Sequence, residues 1–510
     1  MSFIMQPAAS TLGKAVSSSS FPSLRHKQVE HQRQLDALRS QTLDLLVVGG
    51  GIVGSGVARD AAMRGLKVGL VEQHDFASGT SSRSSRLLHG GLRYLAKGHL
   101  GLVREASLEK RILAKIAPHL AQPLGFLFPA YQGEGPPWWQ LRIGVKIYDL
   151  LCSGRNFRPS TSFNRVEARR LLPQLKSENL VGLVRYFDAL TSDARLVIDT
   201  LSSATRYGAN ISNQTKLVSS RRLGESWQSE LVDKLSGQTL TVHARTIINA
   251  TGPWADLIPA ANVRLRLTKG IHVVIDHSRL PVPSAVVITA DSRIIFVLPW
   301  GGRVILGTTD TDYHGAPEDV SVDEADVTYI LEAVNDFFPT ARIDKSDIVS
   351  AWAGLRPLVA NADGSPSDIS RAHEIKRNEP GWWDITGGKL TTYRLMAEQA
   401  VDKIVAELNL AAGRCQTAEE PLLGMGVKPR FSGILPPPCT EAAVRHYMEE
   451  EWAHHLADVM IRRSGWHYYD RSTDQIIGQV ADWMAAIGGW DATRRDQEIS
   501  LYLQEVIAIM

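Results

Sequence analysis

A short apolar strand running into a glycine-rich turn, a β-branched hairpin in mid-chain and a helix-patterned last stretch together predict an α/β chain. The architecture expected is a doubly wound parallel-sheet domain, an antiparallel sheet inserted into it, and a helical C-terminal cap. At 510 residues the chain is long enough for two or three such units around a well-buried core. Its composition, 44% hydrophobic and 22% charged, is that of an ordinary globular protein. A net charge of +2 gives no argument for a nucleic-acid partner, so any basic surface must be local.

Residues 1–41 read as a disordered leader, with Ser17 to Ser20 in a row and no apolar stretch of the secretory kind. Residues 1–29 lack acids and carry Lys14, Arg25 and Lys27, a trait shared with transit peptides. From Asp44 the pattern changes. LDLLVVGG (43–50) is a Val- and Leu-rich run closed by glycines, as a buried parallel strand requires. Residues 53–64 read as a helix and 67–72 as the next strand, which completes one βαβ unit. Strand-like runs at 293–300 and 303–308 flank Gly301-Gly302, a hairpin signal that belongs to the inserted sheet. The Gly- and Pro-rich stretch 421–438 marks a linker. The plan is therefore a main body at 42–403, a linker at 404–439 and a helical cap at 440–510. No apolar run is long enough to span a bilayer, so any membrane attachment is expected to be peripheral. Cys152, Cys415 and Cys439 form no CxxC pair, which suits a reducing compartment. No cluster of acids or histidines has metal-ligand spacing, and no metal is expected.

Gly49-x-Gly51-x-x-Gly54 lies between the first strand and the helix, and Glu72 closes the second strand. Gly49 permits the tight turn, Gly51 lets the backbone approach a pyrophosphate, and Gly54 lets helix and strand pack closely. The helix N-terminus supplies amide hydrogens and a positive dipole end. Glu72 is placed to accept hydrogen bonds from ribose hydroxyls, and its charge disfavours a 2′-phosphate, leaving FAD or NAD. A glycine-rich turn alone is also a common plain connection, but here strand, turn, helix and terminal Glu stand in register. Two further segments favour FAD. TIINATG (246–252) is a β-branched strand whose Ala250, Thr251 and Gly252 resemble the Ala-Thr-Gly motif of flavoproteins. GGKLTT (387–392) precedes an amphipathic helix, so the amides of Gly388, Lys389, Leu390 and Thr391 are placed to face a reduced flavin. The doubly wound domain is thus read as Rossmann-like and FAD-binding.

The segment TSSRSSRLLHGGLRYL (80–95) resembles the signature of FAD-dependent, quinone-reducing glycerol-3-phosphate dehydrogenases. So do NATGPW (249–254), KGIH (269–272), GTTD (307–310), GLRP (354–357) and GGKLTTYR (387–394), all in the family's order. The resemblance implies hydride transfer from C2 of sn-glycerol 3-phosphate to flavin N5, giving dihydroxyacetone phosphate, with a quinone as the final acceptor. It implies cofactor contacts from Thr80, Ser81, Ser82, His89, Gly90, Gly91 and Leu92. It also places Arg93, Arg356 and Arg371 where the family's substrate-binding arginines lie, with Tyr94, Lys389 and Thr391 as neighbours. The chemistry agrees, since a dianionic phosphate ester needs several cations and guanidiniums bind it bidentately. Oxidation at C2 also needs a base for the hydroxyl proton. His89 is the first candidate and Lys269 the second, as a base or as a partner of the developing oxyanion; Arg356 completes the catalytic set.

Two positions depart from the family pattern: Val53 stands where Asn is usual, and Arg86 where Lys is usual. The cap also reads as shortened, which leaves a homodimer possible but unassigned. Trp138-Trp139, Leu141, Val145, Tyr148 and Leu151 recur at helical spacing beside Arg142, Lys146, Arg155 and Arg158. Such a stripe is either core or a surface resting in the headgroup layer of an anionic membrane. The expected location is the cytoplasm, at the inner face of the cell membrane. A glycerol-3-phosphate oxidase that makes peroxide, an amine or amino-acid oxidase of the same fold, and a silent flavin-binding protein are the competing readings.

Overall fold

The computed structural model describes residues 24–92, 95, 98–152, 156–290, 293–359, 373–470 and 473–509. Residues 1–23 of the leader, Arg93, Tyr94, Arg155 and Arg371 lie outside them. In chain order the strands include β1 (Leu43–Val48), β2 (Val68–Val71), β3 (Gln122–Tyr131), β4 (Leu180–Leu190) and β5 (Asn210–Ser212). They continue with β6 (Thr239–Asn249), β7 (Leu265–Asp276), β8 (Ala285–Ala290), β9 (Arg293–Trp300) and β10 (Arg303–Gly307). The last three are β11 (Ile348–Val359), β12 (His373–Glu379) and β13 (Trp382–Gly387).

The first sheet runs β12–β13–β6–β1–β2–β5, and every pairing from β13 to β5 is parallel. Its central strand β1 is buried almost throughout, as its unbroken apolar run requires. Helix α1 (Leu24–Arg39) lies on the sheet and buries Leu35 and Leu38 there, while His31 meets Asp233 at 3.0 Å. The leader is thus helical from Leu24, a correction to the disorder expected through residue 41. Among the side chains described, Leu35 and Leu38 make that contact within a helix rich in polar residues, which hides it from composition. Helix α2 (Ile52–Met63) follows β1 and is buried on nearly every side.

The second sheet is mostly antiparallel and runs β7–β10–β9–β8–β3–β4 through its centre, with β11 on the other edge of β7. β9 and β10 form the expected hairpin, with Trp300 opposite Arg303. The chain crosses between the sheets repeatedly, so the second-sheet unit is interleaved with the first rather than appended. Helix α3 (Leu100–Ile116) and helix α4 (Trp138–Leu151) pack beside this sheet. On α4, Val145 and Tyr148 are buried, and Trp138, Leu141 and Leu151 pack against the same core. The stripe at these positions is therefore core, not a membrane face. A different row on the opposite side is exposed: Trp139 by 62%, Ile143 by 53%, Ile147 by 40% and Leu150 by 72%.

Helix α5 (Asp193–Arg206) packs on α2, helix α6 (Glu324–Phe337) covers the second sheet, and helix α7 (Tyr393–Leu408) returns to α2. After an irregular stretch the cap comprises α8 (Glu441–Glu450), α9 (Thr473–Gly488), α10 (Ala492–Ile509) and a π-helical turn at Asp458–Arg463. Buried ion pairs join the cap to the main body. Arg462 Nε lies 2.6 Å from Asp75, and Arg463 grips the same carboxylate with two nitrogens at 2.7 and 2.8 Å. Arg195 on α5 holds Glu451 bidentately at 2.5 and 2.8 Å. Among the described residues no helix is long and apolar enough to cross a membrane.

Candidate active site

A cleft runs between the carboxyl ends of β1, β6 and β13 and the face made by β7 and β11, the position expected for a ligand in a doubly wound sheet. The space within it, counted out into the solvent at its open mouth, is about 1900 Å³.

At one end stand the fingerprint residues. Gly49 has φ +112°, and a Cβ on it would lie 2.6 Å from the Ala250 carbonyl oxygen. A Cβ on Gly54 would overlap the carbonyl of Gly49, so helix and turn touch only because Gly54 has no side chain. α2 starts on Gly51, which has no side chain to cap it, and Gly51, Ile52 and Val53 of its first turn line the cleft. Glu72 accepts from the Gly50 and His74 N–H groups at 2.7 and 2.9 Å while lining the cleft. Burial pushes its carboxyl up, against those hydrogen bonds. The loop beyond it carries Gln73 and His74 along the cleft and Asp75 into the grip of the cap.

Thr80, Ser81, His89, Ala250, Thr251, Gly252, Gly388, Lys389, Leu390 and Thr391 all line the cleft. Ser81 Oγ accepts from the Ile52 N–H at 3.0 Å, and Thr80 donates to the Leu355 carbonyl at 2.7 Å. Thr391 Oγ1 accepts from the His89 N–H at 3.0 Å and donates to the His89 carbonyl at 3.2 Å. Two motifs 302 residues apart in sequence are thereby locked together. Gly90, Gly91 and Leu92 stand behind the lining, and Ser82 faces the junction with the cap instead.

Arg356 lines the cleft and is one-fifth exposed; it donates to Asp310 at 3.1 Å, Thr308 Oγ1 at 2.9 Å and the Thr309 carbonyl at 3.2 Å. The GTTD segment thus sets the direction of the arginine in GLRP. Lys269 is not in the cleft. Strand alternation sends Gly270 and His272 toward it and Lys269 to the other face, where Asp323 and Asp326 at the start of α6 bind the ammonium. Burial alone lowers its pKa, but the two carboxylates outweigh burial and raise it. A lysine so paired is no base for this site.

His272 is the residue that motif reading passed over. Its Nε2 is 2.8 Å from Ser85 Oγ, and its ring stacks on Trp352 at 5.1 Å between centroids. Burial, reinforced by Arg356 and Arg86, holds it far below its ordinary pKa, so it is neutral. Arg83, Ser84 and Ser85 also line the cleft, and no sequence signal separated them from their neighbours.

The glycine turn, the helix start that lines the cleft and Glu72 fit a dinucleotide, and the GGKLTT turn fits a flavin ring beside it. Comparison with known proteins agrees. Residues 44–402 match the FAD dependent oxidoreductase family, and 434–495 match the C-terminal domain of alpha-glycerophosphate oxidase. Glycerol-3-phosphate dehydrogenase 2 of Mycobacterium tuberculosis is 35% identical, with 92% of this chain and 89% of the relative covered. Aerobic glycerol-3-phosphate dehydrogenase of Staphylococcus saprophyticus is 36% identical over 86% of this chain and 80% of the relative. The structure of glycerol-3-phosphate dehydrogenase from Bacillus halodurans complexed with FAD superposes with a TM-score of 0.76 at 28% identity, covering 94% of this chain and 97% of that one. Glycine oxidase from Geobacillus kaustophilus, at 19% identity and a TM-score of 0.56, shares the fold over 73% of this chain and 96% of that one. The chain belongs to the FAD-dependent oxidoreductases, and within them to the glycerol-3-phosphate dehydrogenase and oxidase family.

Proposed function

We propose that the chain oxidises sn-glycerol 3-phosphate to dihydroxyacetone phosphate and delivers the electrons to a membrane quinone. The observation that carries this reading is the convergence of His89, Arg356 and Lys389 in one cleft with the dinucleotide fingerprint. Bound FAD supplies the hydride acceptor at N5. His89 takes the proton of the C2 hydroxyl as the C2–H bond gives up its electron pair, leaving the new carbonyl. Arg356 and Lys389 hold the phosphate and the oxygen on which charge develops, and Arg356 meets them already oriented by Asp310 and Thr308. The sequence resemblance adds Arg93 and Arg371 as substrate-binding arginines and Tyr94 as a neighbour, all three outside the described residues. Neutral His272 lines the cleft beside Arg356 without adding positive charge.

A quinone is reached only at a bilayer, and the outer face of α4 supports that contact. Trp139, Ile143, Ile147 and Leu150 form an exposed apolar row with Arg142 and Lys146 alongside, the pattern of a helix resting in anionic headgroups at the inner face of the cell membrane. A second reading, reduction of oxygen to peroxide, takes its support from the alpha-glycerophosphate oxidase match of the C-terminal domain.

Anaerobic mixing of the flavin-loaded protein with sn-glycerol 3-phosphate tests the substrate. Bleaching of the flavin absorbance is expected; a flavin that stays oxidised overturns the assignment. A following pulse of quinone or of oxygen, with peroxide assayed, separates the two acceptors.

A further inference from the structure

Behind His89 stands a buried chain of polar groups that the reaction itself does not use. Tyr148, on the inner face of α4, is fully buried. Its hydroxyl accepts from the Gly90 N–H at 2.9 Å and donates to Asp188 Oδ1 at 2.6 Å. The same carboxylate oxygen receives Lys110 Nζ of α3 at 2.7 Å and lies 3.4 Å from the Gly90 nitrogen. Lys110, whose side chain is 0% exposed, is fixed further by the Phe187 carbonyl at 3.0 Å and Asn156 Oδ1 at 3.1 Å. Gly90 has no room for a side chain, because a Cβ would run into Tyr148 Oη and lie 2.5 Å from Ser107 Oγ.

On its other side, His89 is bound at both N–H and carbonyl by Thr391. The two peptide planes that flank the imidazole are therefore each tied to a hydroxyl, one from Thr391 and one from Tyr148. Burying a lysine and an aspartate strips both ions of their hydration, and apolar residues of the same volume would pack as well or better. An ion pair kept at that cost, aimed through one phenol at one peptide, suits orientation rather than stability.

We propose that Tyr148, backed by Asp188 and Lys110, is a positioning residue that fixes the His89–Gly90 peptide and so aims the His89 imidazole at the C2 hydroxyl. This rests on the reading of His89 as the base. Burial and the Asp188 charge push the phenol pKa well above its ordinary value, so Tyr148 stays a hydroxyl at working pH.

The test is rapid anaerobic mixing of the FAD-loaded Tyr148→Phe protein with sn-glycerol 3-phosphate. Flavin reduction is expected to slow roughly 10- to 100-fold, the scale of a misaimed catalytic group, with half-saturating substrate and FAD content within twofold of the parent. In a His89→Asn background the same substitution is expected to add nothing, because its effect runs through His89. A Lys110→Met, Asp188→Asn pair removes the charges at nearly constant volume and gives a folded protein to compare; it too should slow reduction only when His89 is present. Parent-like rates in these variants, or effects that multiply independently of His89, overturn the proposal. If the parent itself is not reduced by this substrate, it is the reading of the reaction that falls.

Discussion

Arg356 enters the cleft already held by Asp310, Thr308 and the Thr309 carbonyl, so little orientational entropy remains to be lost on meeting an anion. Replacing it or His89 by Ala is expected to lower turnover by ~10²–10⁴-fold, the usual scale for a lost acid–base or charge-positioning group. FAD should stay bound in both variants, which the ratio of flavin to protein absorbance reports; near-normal turnover would remove that residue from the site. Gly54→Ala should behave in the opposite way, since its methyl must displace the Gly49 carbonyl and distort the dinucleotide turn. FAD content, not turnover per flavin, is the quantity expected to collapse. At this scale the sequence was most legible where a backbone demand leaves one solution, as at Gly49, Gly54 and Glu72. It was least legible where a side chain's direction depends on strand parity within a sheet not yet placed, which is why KGIH pointed to Lys269 and gave His272 no role.

Among the elements, α4 is apolar on two sides for two reasons. Val145 and Tyr148 face the second sheet, whereas Ile143, Ile147 and Leu150 face outward with Trp139. Both rows recur at helical spacing, so periodicity alone cannot say which is inside. The βαβ unit was readable for the converse reason: a parallel strand covered on both faces is apolar throughout and leaves no face to choose. Helix α1 escaped notice because it docks through Leu35 and Leu38 within a charged sequence. Introducing Ile143→Glu together with Ile147→Glu is expected to lower co-sedimentation with anionic vesicles at least severalfold. Flavin reduction in solution should be unchanged, because both side chains point away from the cleft. Equal vesicle binding by this variant and the parent would dismiss α4 as the contact.

For the whole molecule, the joint between cap and main body concentrates charge in the interior. Asp75 is held far below the usual carboxylate range: Arg463 and Arg462 together override the burial that would raise it. Asp75→Asn leaves two buried guanidiniums without their shared counter-charge and is expected to cost roughly 3–5 kcal/mol, measurable by urea unfolding. Histidines in the structure, His467 buried and His446 and His455 part-buried, pull in opposite directions with pH. His467 is depressed to about 4 by burial. Below its unfolded value of about 6.5 the unfolded chain binds the extra proton, so this stability is whole above that pH and is lost as acid approaches 4. His446 and His455 are raised despite burial, by Glu451 and Glu498 respectively, and their contribution fades as pH rises through the folded value. Comparing His467→Gln with the parent isolates the first effect: the slope of unfolding free energy between pH 6.5 and 4 should flatten by up to about 1.4 kcal/mol per pH unit. Asp75 and Arg462 are also 387 residues apart in the chain. At about 5–20 residues per second, a ribosome needs roughly 20 to 80 seconds to travel from one to the other. Throughout that interval the loop that carries Glu72 and Asp75 has no cap to hold it, so the nascent dinucleotide site cannot be finished until the cap segment has itself been made.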